Sequence, residues 1–228
     1  CISSTMVSSI GQYVTKFEDE LSSLTGAKYV IAVMNGTSAL QIALNLINIK
    51  KNDEVLLPAL SFVATANAVK YNNGTPHFVD SENVSFGIDP KKLSEYLEKN
   101  TKQVDGECIN INTGSKIKAL IAVHIFGHPS RIEELLSIAN EYNISLIEDA
   151  AESICSYFKN KHTGTFGLIG TLSFNGNKTI TTGSGGAILL KSKSDRDKAE
   201  KLINISKIKK KNYMTFDDIG YNYKISNI

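Results

Sequence analysis

Leu168-Ile169-Gly170-Thr171-Leu172-Ser173-Phe174-Asn175-Gly176-Asn177-Lys178-Thr179-Ile180-Thr181-Thr182-Gly183-Ser184-Gly185-Gly186-Ala187-Ile188-Leu189-Leu190 holds two apolar, strand-like runs joined by a glycine-rich loop that carries one lysine. An amine on a tight loop between strands can reach a fixed aldehyde carbon, leave it and return. That is what a covalent Schiff-base site requires. Upstream, the apolar run 144–147 ends in Glu148-Asp149-Ala150-Ala151-Glu152-Ser153. A carboxylate at a strand's C-terminal end can address the ring nitrogen of a flat heteroaromatic cofactor. Together the two segments suggest a pyridoxal 5′-phosphate (PLP) site, with Lys178 as covalent anchor and Asp149 as the pyridine partner.

Outward from these segments, strand-like runs alternate with helix-length stretches. Strands are predicted over 29–33, 54–57, 75–79, 117–123, 144–147, 168–174 and 186–190. Helices are predicted over 37–48, 64–71, 90–99, 129–142 and 195–206. Asp89-Pro90 supplies an N-cap and a first-turn proline. The nearly continuous apolar run 117–123 fits a strand buried on both faces of a parallel sheet. The alternation predicts βαβ units: an α/β fold of three layers around a mostly parallel sheet of about seven strands. Residues 101–116 read as a surface insertion.

Composition excludes several classes. A length of 228 residues suits one large α/β domain, and the hydrophobic share of 42% is ordinary for a globular chain. The net charge of +2 gives no electrostatic argument for nucleic acid or a membrane surface. The basic run at 206–211 reads as a solvated helix end or loop. Three cysteines, Cys1, Cys108 and Cys155, have no paired spacing and point to a reducing, cytoplasmic setting. No apolar run is long enough to span a membrane. His124 and His128 are separated by a segment containing Gly127 and followed by Pro129, so they share no helix face, and no metal site is read. The chain opens on Cys1, not methionine, and residues 221–228 read as the start of another helix. It therefore reads as the middle of a longer protein.

Three further positions carry chemistry. In Asn35-Gly36-Thr37-Ser38 a strand ends, Gly36 allows a tight turn, and Thr37 and Ser38 open a helix. Free amides, a positive dipole end and hydroxyls there make either a phosphate cradle or a simple N-cap. Phe62 follows the strand 54–57, where an aromatic ring can stack on a flat cofactor or fill the core. Ser173, five residues before Lys178, can hydrogen-bond a phosphate.

The segments 35–40, 60–67, 75–80, 123–129, 148–153, 173–186 and 220–228, in this order, resemble the PLP-dependent nucleotide-sugar aminotransferases of the DegT/StrS type, fold type I. Val123-His124-Ile125-Phe126-Gly127-His128-Pro129 and Val7-Ser8-Ser9-Ile10-Gly11 look closest to the LegC-like subgroup, associated with amino sugars of bacterial surface glycans. The resemblance implies a large cofactor domain over 1–228, without the family's earliest N-terminal segment and C-terminal small domain. It implies Lys178 as the Schiff-base lysine, Asp149 on the pyridine nitrogen, Glu152 at the ring oxygen and Phe62 on the ring face. Gly36, Thr37, Ser38 and Ser173 would hold the phosphate. A residue donated by a second subunit, Asn222 or Lys224, would complete it in a homodimer with shared sites.

The implied reaction moves an amino group from an amino acid, glutamate in this reading, to a nucleotide-linked keto-sugar. Some relatives carry histidine in place of the lysine and eliminate; Lys178 favours transamination. Ser184 stands where many relatives have glutamate. The rival readings are another fold type I PLP enzyme, a lyase or desulfurase, and a truncated paralogue that binds PLP without turnover.

Overall fold

The computed structural model describes residues 1–210 and 213–228. In chain order its main elements are α1 (Gln12–Thr25), β1 (Tyr29–Val33), α2 (Gly36–Leu46), β2 (Glu54–Pro58), α3 (Val63–Tyr71), β3 (Thr75–Val79), α4 (Pro90–Asn100), β4 (Thr101–Val104), β5 (Glu107–Asn110) and β6 (Ile117–Val123). There follow α5 (Ile132–Glu141), β7 (Ser145–Asp149), β8 (Tyr157–Phe158), β9 (Lys161–His162), β10 (Ile169–Ser173), β11 (Gly186–Leu190), α6 (Lys193–Ile203), β12 (Lys207–Lys209) and β13 (Met214–Phe216).

Seven strands form one sheet in the order β1-β11-β10-β7-β6-β2-β3. Only β11 runs against its neighbours; it is antiparallel to both β1 and β10. Its connection from β10, residues 174–185, is the lysine loop, which contains no crossover helix and returns the chain antiparallel. The expected mostly parallel, seven-stranded α/β architecture is therefore what the chain adopts.

Side chains on alternate strand positions face opposite layers. Ala119, Ile121 and Val123 of β6 pack with α2, α3 and α6, whereas Leu120 and Ala122 pack with α4 and α5. Leu172, Phe174 and Leu189 meet Leu21 of α1. Phe174 is nearly inaccessible and lies edge-on to Phe17 of α1 with ring centroids 5.1 Å apart. The start of the lysine loop is thereby pinned into the core.

Helix α1 is an addition to the elements expected from sequence. The stretch 101–116 is more than a surface insertion: it folds as the hairpin β4–β5, and buried Asn110 and exposed Thr113 both bond Glu54, at 2.9 and 2.6 Å. Helix α5 begins at 132 instead of 129, because His128, before Pro129, is extended and Arg131 has a non-helical ψ of 60°. The basic run forms strand β12 of a hairpin with β13, not a helix end, and Lys211 lies outside the described residues. Residues 221–228 are extended, not helical. Tyr223 accepts from the Met34 N–H at 2.9 Å and donates to Ile203 O at 3.0 Å, so its backbone bonds go to neighbours instead of a helical turn.

Candidate active site

The carboxyl ends of β1, β6, β7 and β10 open on one edge of the sheet. Gly186 is opposite both Val33 and Ser173, and Val123 is opposite Asp149. Open α/β sheets bind ligands at this edge. A cavity of about 430 Å³ lies there, and Gly36, Thr37, Phe62, Asp149, Glu152, Ser173 and Lys178 all line it.

At the first turn of α2, the Asn35 side chain accepts from the Ser38 N–H at 2.8 Å, and Ser38 Oγ accepts from the Asn35 N–H at 3.3 Å. This capping box holds Ser38 as a structural cap. Its hydroxyl also donates to Asn35 O at 2.8 Å, and Ser38 does not line the cavity, whereas Gly36, Thr37 and Ser173 do. The amides of Gly36 and Thr37 belong to the helix's free first-turn donors. A Cβ at Gly36 would sit 2.8 Å from the Ser173 Cβ, so only glycine lets the helix start approach the end of β10 this closely.

Asp149 is buried. Its Oδ2 accepts from the Thr65 hydroxyl at 2.7 Å and its Oδ1 from the Ala151 N–H at 3.2 Å. Burial pushes its pKa up, against the hydrogen bonds from Thr65 and Ala151 and the charge of Lys178. A cationic ring nitrogen beside it would relieve that desolvation by pairing with the carboxylate.

Lys178 Nζ lies 3.4 Å from Glu152 Oε1 and 5.8 Å from the Phe62 ring centroid. The Phe62 ring is 67% exposed, with a free face for stacking. The other Glu152 oxygen accepts from the Phe126 N–H at 2.9 Å, which ties it to the turn after β6. That turn needs Gly127, whose φ is +85° and whose added Cβ would lie 3.1 Å from Glu152 O.

Asn222 and Lys224 do not line this chain's cleft. Asn222 is exposed, and Lys224 Nζ pairs with Glu200 Oε1 at 2.6 Å. The structure also adds residues that sequence reasoning did not single out for the site. Thr65 was legible in principle, one helical turn after Phe62 and so on the same side of α3. His124 follows the last residue of β6 and lines the cleft. Its Nδ1 accepts from the Ser130 N–H at 3.1 Å, so its Nε2–H donates to Glu148 at 3.0 Å. Ser184 Oγ, also at the cleft, donates to Met34 O at 2.6 Å.

Glu148 lies behind the site, fully enclosed. Burial would raise its pKa, but His124 and the N–H groups of Gly167 and Gly164, at 2.6 and 2.7 Å, outweigh burial and hold it below the ordinary carboxylate value. A lowered folded pKa gives stability that is present above the unfolded value, about 4.3, and is lost as pH falls through the folded one. Glu148→Gln in the full-length protein is therefore expected to cost about 1.5–3 kcal/mol near neutrality. The gap to the parent should narrow in acid, read as urea midpoints across the pH range; a pH-independent gap contradicts the assignment.

The residues fit a phosphorylated pyridine. The glycine-dependent approach of α2 to Ser173 offers a phosphate cradle, buried Asp149 faces the position of a ring nitrogen, and Lys178 stands at the same cavity. Among the described residues no group of three or more His, Cys, Asp or Glu side chains is placed to hold a metal, and no helix is long and apolar enough to cross a membrane.

The chain is 39% identical to the GDP-perosamine synthase of Escherichia coli O157:H7 over all its 228 residues, which span 58% of that protein. It is 36% identical to the putative pyridoxal phosphate-dependent aminotransferase EpsN of Bacillus subtilis, covering 99% of this chain and 55% of the relative. The chain thus spans a little over half the length of these relatives. Among solved structures, a DegT DnrJ EryC1 StrS aminotransferase from Brucella abortus superposes with a TM-score of 0.87 at 28% identity, over 99% of this chain and 57% of that one. NtdA from Bacillus subtilis with bound cofactor PMP gives 0.83 at 31% identity, over 99% and 47%. The model of the DegT/DnrJ/EryC1/StrS aminotransferase family matches residues 1–228. With the whole chain matched and the lysine, aspartate and helix start gathered at one sheet edge, the protein belongs to the DegT/DnrJ/EryC1/StrS aminotransferase family.

Proposed function

We propose that the full-length protein is a PLP-dependent aminotransferase that moves an amino group from glutamate to a nucleotide-linked keto-sugar, for amino sugars of bacterial surface glycans. The reading rests on one observation above all: Lys178, Asp149, Gly36, Thr37 and Ser173, from separate strand ends, line a single cavity. The relatives' names support the sugar class. They include GDP-perosamine synthase, and a UDP-4-amino-4,6-dideoxy-N-acetyl-beta-L-altrosamine transaminase of Campylobacter jejuni at 33% identity. Placement nearest the LegC-like subgroup, work in the cytoplasm and the large-domain boundaries are parts of the same proposal.

When bound, PLP supplies an aldehyde carbon for the amino group and a ring that accepts electrons. Asp149 would pair with the ring nitrogen of the bound group and favour its protonated form, and Thr65 and the Ala151 amide fix which way its carboxylate points. Phe62 would stack on the ring, and Glu152, oriented by the Phe126 amide beside Lys178, would hold it by a polar contact. The Lys178 amine would take the proton from the donor's α-carbon and give it back in the exchange, acting in turn as base and acid. The same residues would serve the keto-sugar half of the reaction.

The test is stepwise. The cofactor-loaded full-length protein should release 2-oxoglutarate from glutamate, and then aminate a GDP- or UDP-linked keto-sugar, followed by mass spectrometry. Elimination products in place of 2-oxoglutarate would shift the assignment to a lyase. Failure of both half-reactions would leave a cofactor-binding protein without turnover.

Phe62→Ala is expected to be a mild variant. Stacking contributes about 0.5–1.5 kcal/mol beyond area burial, or about 2- to 12-fold in cofactor affinity or rate. Cofactor titration and steady-state kinetics measure it, and a loss greater than that of Asp149→Asn would overturn the assigned roles.

The functional form in this reading is a homodimer in which each chain lends a phosphate-binding residue to its partner. Asn222 suits that role better than Lys224, because Glu200 already neutralises Lys224 at 2.6 Å while Asn222 is exposed. Sedimentation at micromolar concentration should show a dimer. Asn222→Ala should weaken cofactor binding more than Lys224→Ala. A monomer that retains PLP, or the reverse order of the two variants, contradicts it.

A further inference from the structure

A second depression, of about 560 Å³, opens at the amino edge of the sheet and shares no residue with the cleft. It lies between the last turn of α1, the β8–β9 hairpin and the strand end at Leu190, where β11 meets the starts of β1 and β10. Its volume falls within the range of small-molecule sites, about 300–1,000 Å³.

Its walls differ in character. Leu24, Tyr157 and Leu168 present apolar and aromatic surface, each at least 39% exposed. Lys28, Lys161 and Lys191 line it, with Lys28 Nζ 5.5 Å from the Tyr29 ring centroid at its rim, and the lining contains no aspartate or glutamate. None of the three lysines enters an ion pair among the described residues. Two of them gather around one residue: Lys161 Nζ lies 4.5 Å from the Phe166 ring centroid, and Lys191 Nζ donates to Phe166 O at 2.9 Å. Burial and then the Lys161 charge lower the Lys191 pKa. Two negative features oppose an anion here, the C-terminal dipole end of α1 and Glu148 beneath the floor. Glu148 is already committed to His124 and the amides of Gly164 and Gly167, and a helix end carries about half a charge. Three ammoniums outweigh them.

We propose that this groove is a second ligand site, for a nucleoside diphosphate. The diphosphate sits among Lys28, Lys161 and Lys191, and the base lies against Tyr157, Leu24 and Leu168. Cationic groups on one side and apolar surface on the other match a ligand with the same division.

The inference does not rest on the nucleotide-sugar reading of the cleft. Calorimetric titration of the cofactor-loaded full-length protein with GDP tests it. The expected result is a site that survives Lys178→Ala, weakens with added salt, and loses about tenfold or more in affinity in Lys161→Ala/Lys191→Ala, since each exposed charge contact contributes up to about 1 kcal/mol. Pyrophosphate and guanosine, each carrying half of the recognised chemistry, should bind more weakly than GDP. If that double variant melts early, Lys28→Ala/Tyr157→Ala decides instead. GDP binding unchanged by the deciding variant, or no GDP binding outside the cleft, overturns the proposal. If the catalytic reading fails while this one holds, GDP binding at the cleft disappears and the lysine-sensitive site persists.

Discussion

Lys178→Ala in the full-length enzyme is expected to lower kcat with glutamate and a keto-sugar nucleotide by at least about 10⁴-fold. A positioned acid–base contributes about 10²–10⁴, and here the covalent anchor is lost with it. The geometry makes the loss hard to compensate. Phe174 N–H bonds Gly185 O at 2.7 Å and Thr182 N–H bonds Phe174 O at 3.0 Å, so the loop is closed at its base and holds Lys178 in the cleft. Glu152 and His124 line the same cleft, but Glu152 is tied to the Phe126 amide and His124 to Glu148 and Ser130, and neither has an amine to form the covalent anchor. Borohydride reduction of the loaded parent should fix cofactor mass on the peptide containing Lys178, and that adduct should be absent from the variant. Near-normal kcat in Lys178→Ala would falsify the whole functional reading.

Asp149→Asn is the second large effect, about 10²–10³-fold in kcat, comparable to removing one electrostatic contact that stabilises charge in a transition state. The amide keeps the size of the carboxylate and can still accept from Thr65. It carries no charge to hold a proton on the ring nitrogen, so the electron sink weakens. The cofactor's absorbance should also become more sensitive to alkali in the variant, because the ring nitrogen loses its anionic partner. That spectroscopic change separates loss of charge from a simple packing defect. Unchanged kcat together with an unchanged titration would remove Asp149 from its role. The expected order is Lys178 at least as severe as Asp149, and both more severe than Phe62.

The residues that announce the chemistry are local in sequence. Lys178 is flanked by two apolar runs, Asp149 terminates another, and Gly36-Thr37 joins a strand to a helix. Period-two and period-3.6 patterns near those residues were enough to place the strands and their carboxyl ends, because each strand in a doubly covered sheet must be apolar along its length. The same patterns were silent on the short β4–β5 and β12–β13 hairpins. Their strands have three or four residues and draw stability from contacts such as Asn110 with Glu54, across 56 positions. Helix α1 was missed for a related reason: polar residues surround its few core contacts, and Leu21 is held by strands β10 and β11 far along the chain.

Within the site, sequence named Ser38 for the phosphate cradle, and the fold also engages its hydroxyl with Asn35 in a capping box. Spacing from Phe62 could place Thr65 on the cleft side of α3, but not its bond to Asp149, nor the His124–Glu148 pair, since those contacts join residues 84 and 24 positions apart. The sequence by itself determined the fold class and the seven strands of the main sheet with the helices between them, and it pointed to the lysine, aspartate and glycine that the fold brings to one cleft, because propensity and burial pattern are short-range properties. Tertiary structure alone decided which polar groups pair with which. A buried donor or acceptor must find a partner wherever the fold brings one within hydrogen-bond reach, and that proximity is set by strand order and register, not by distance along the chain.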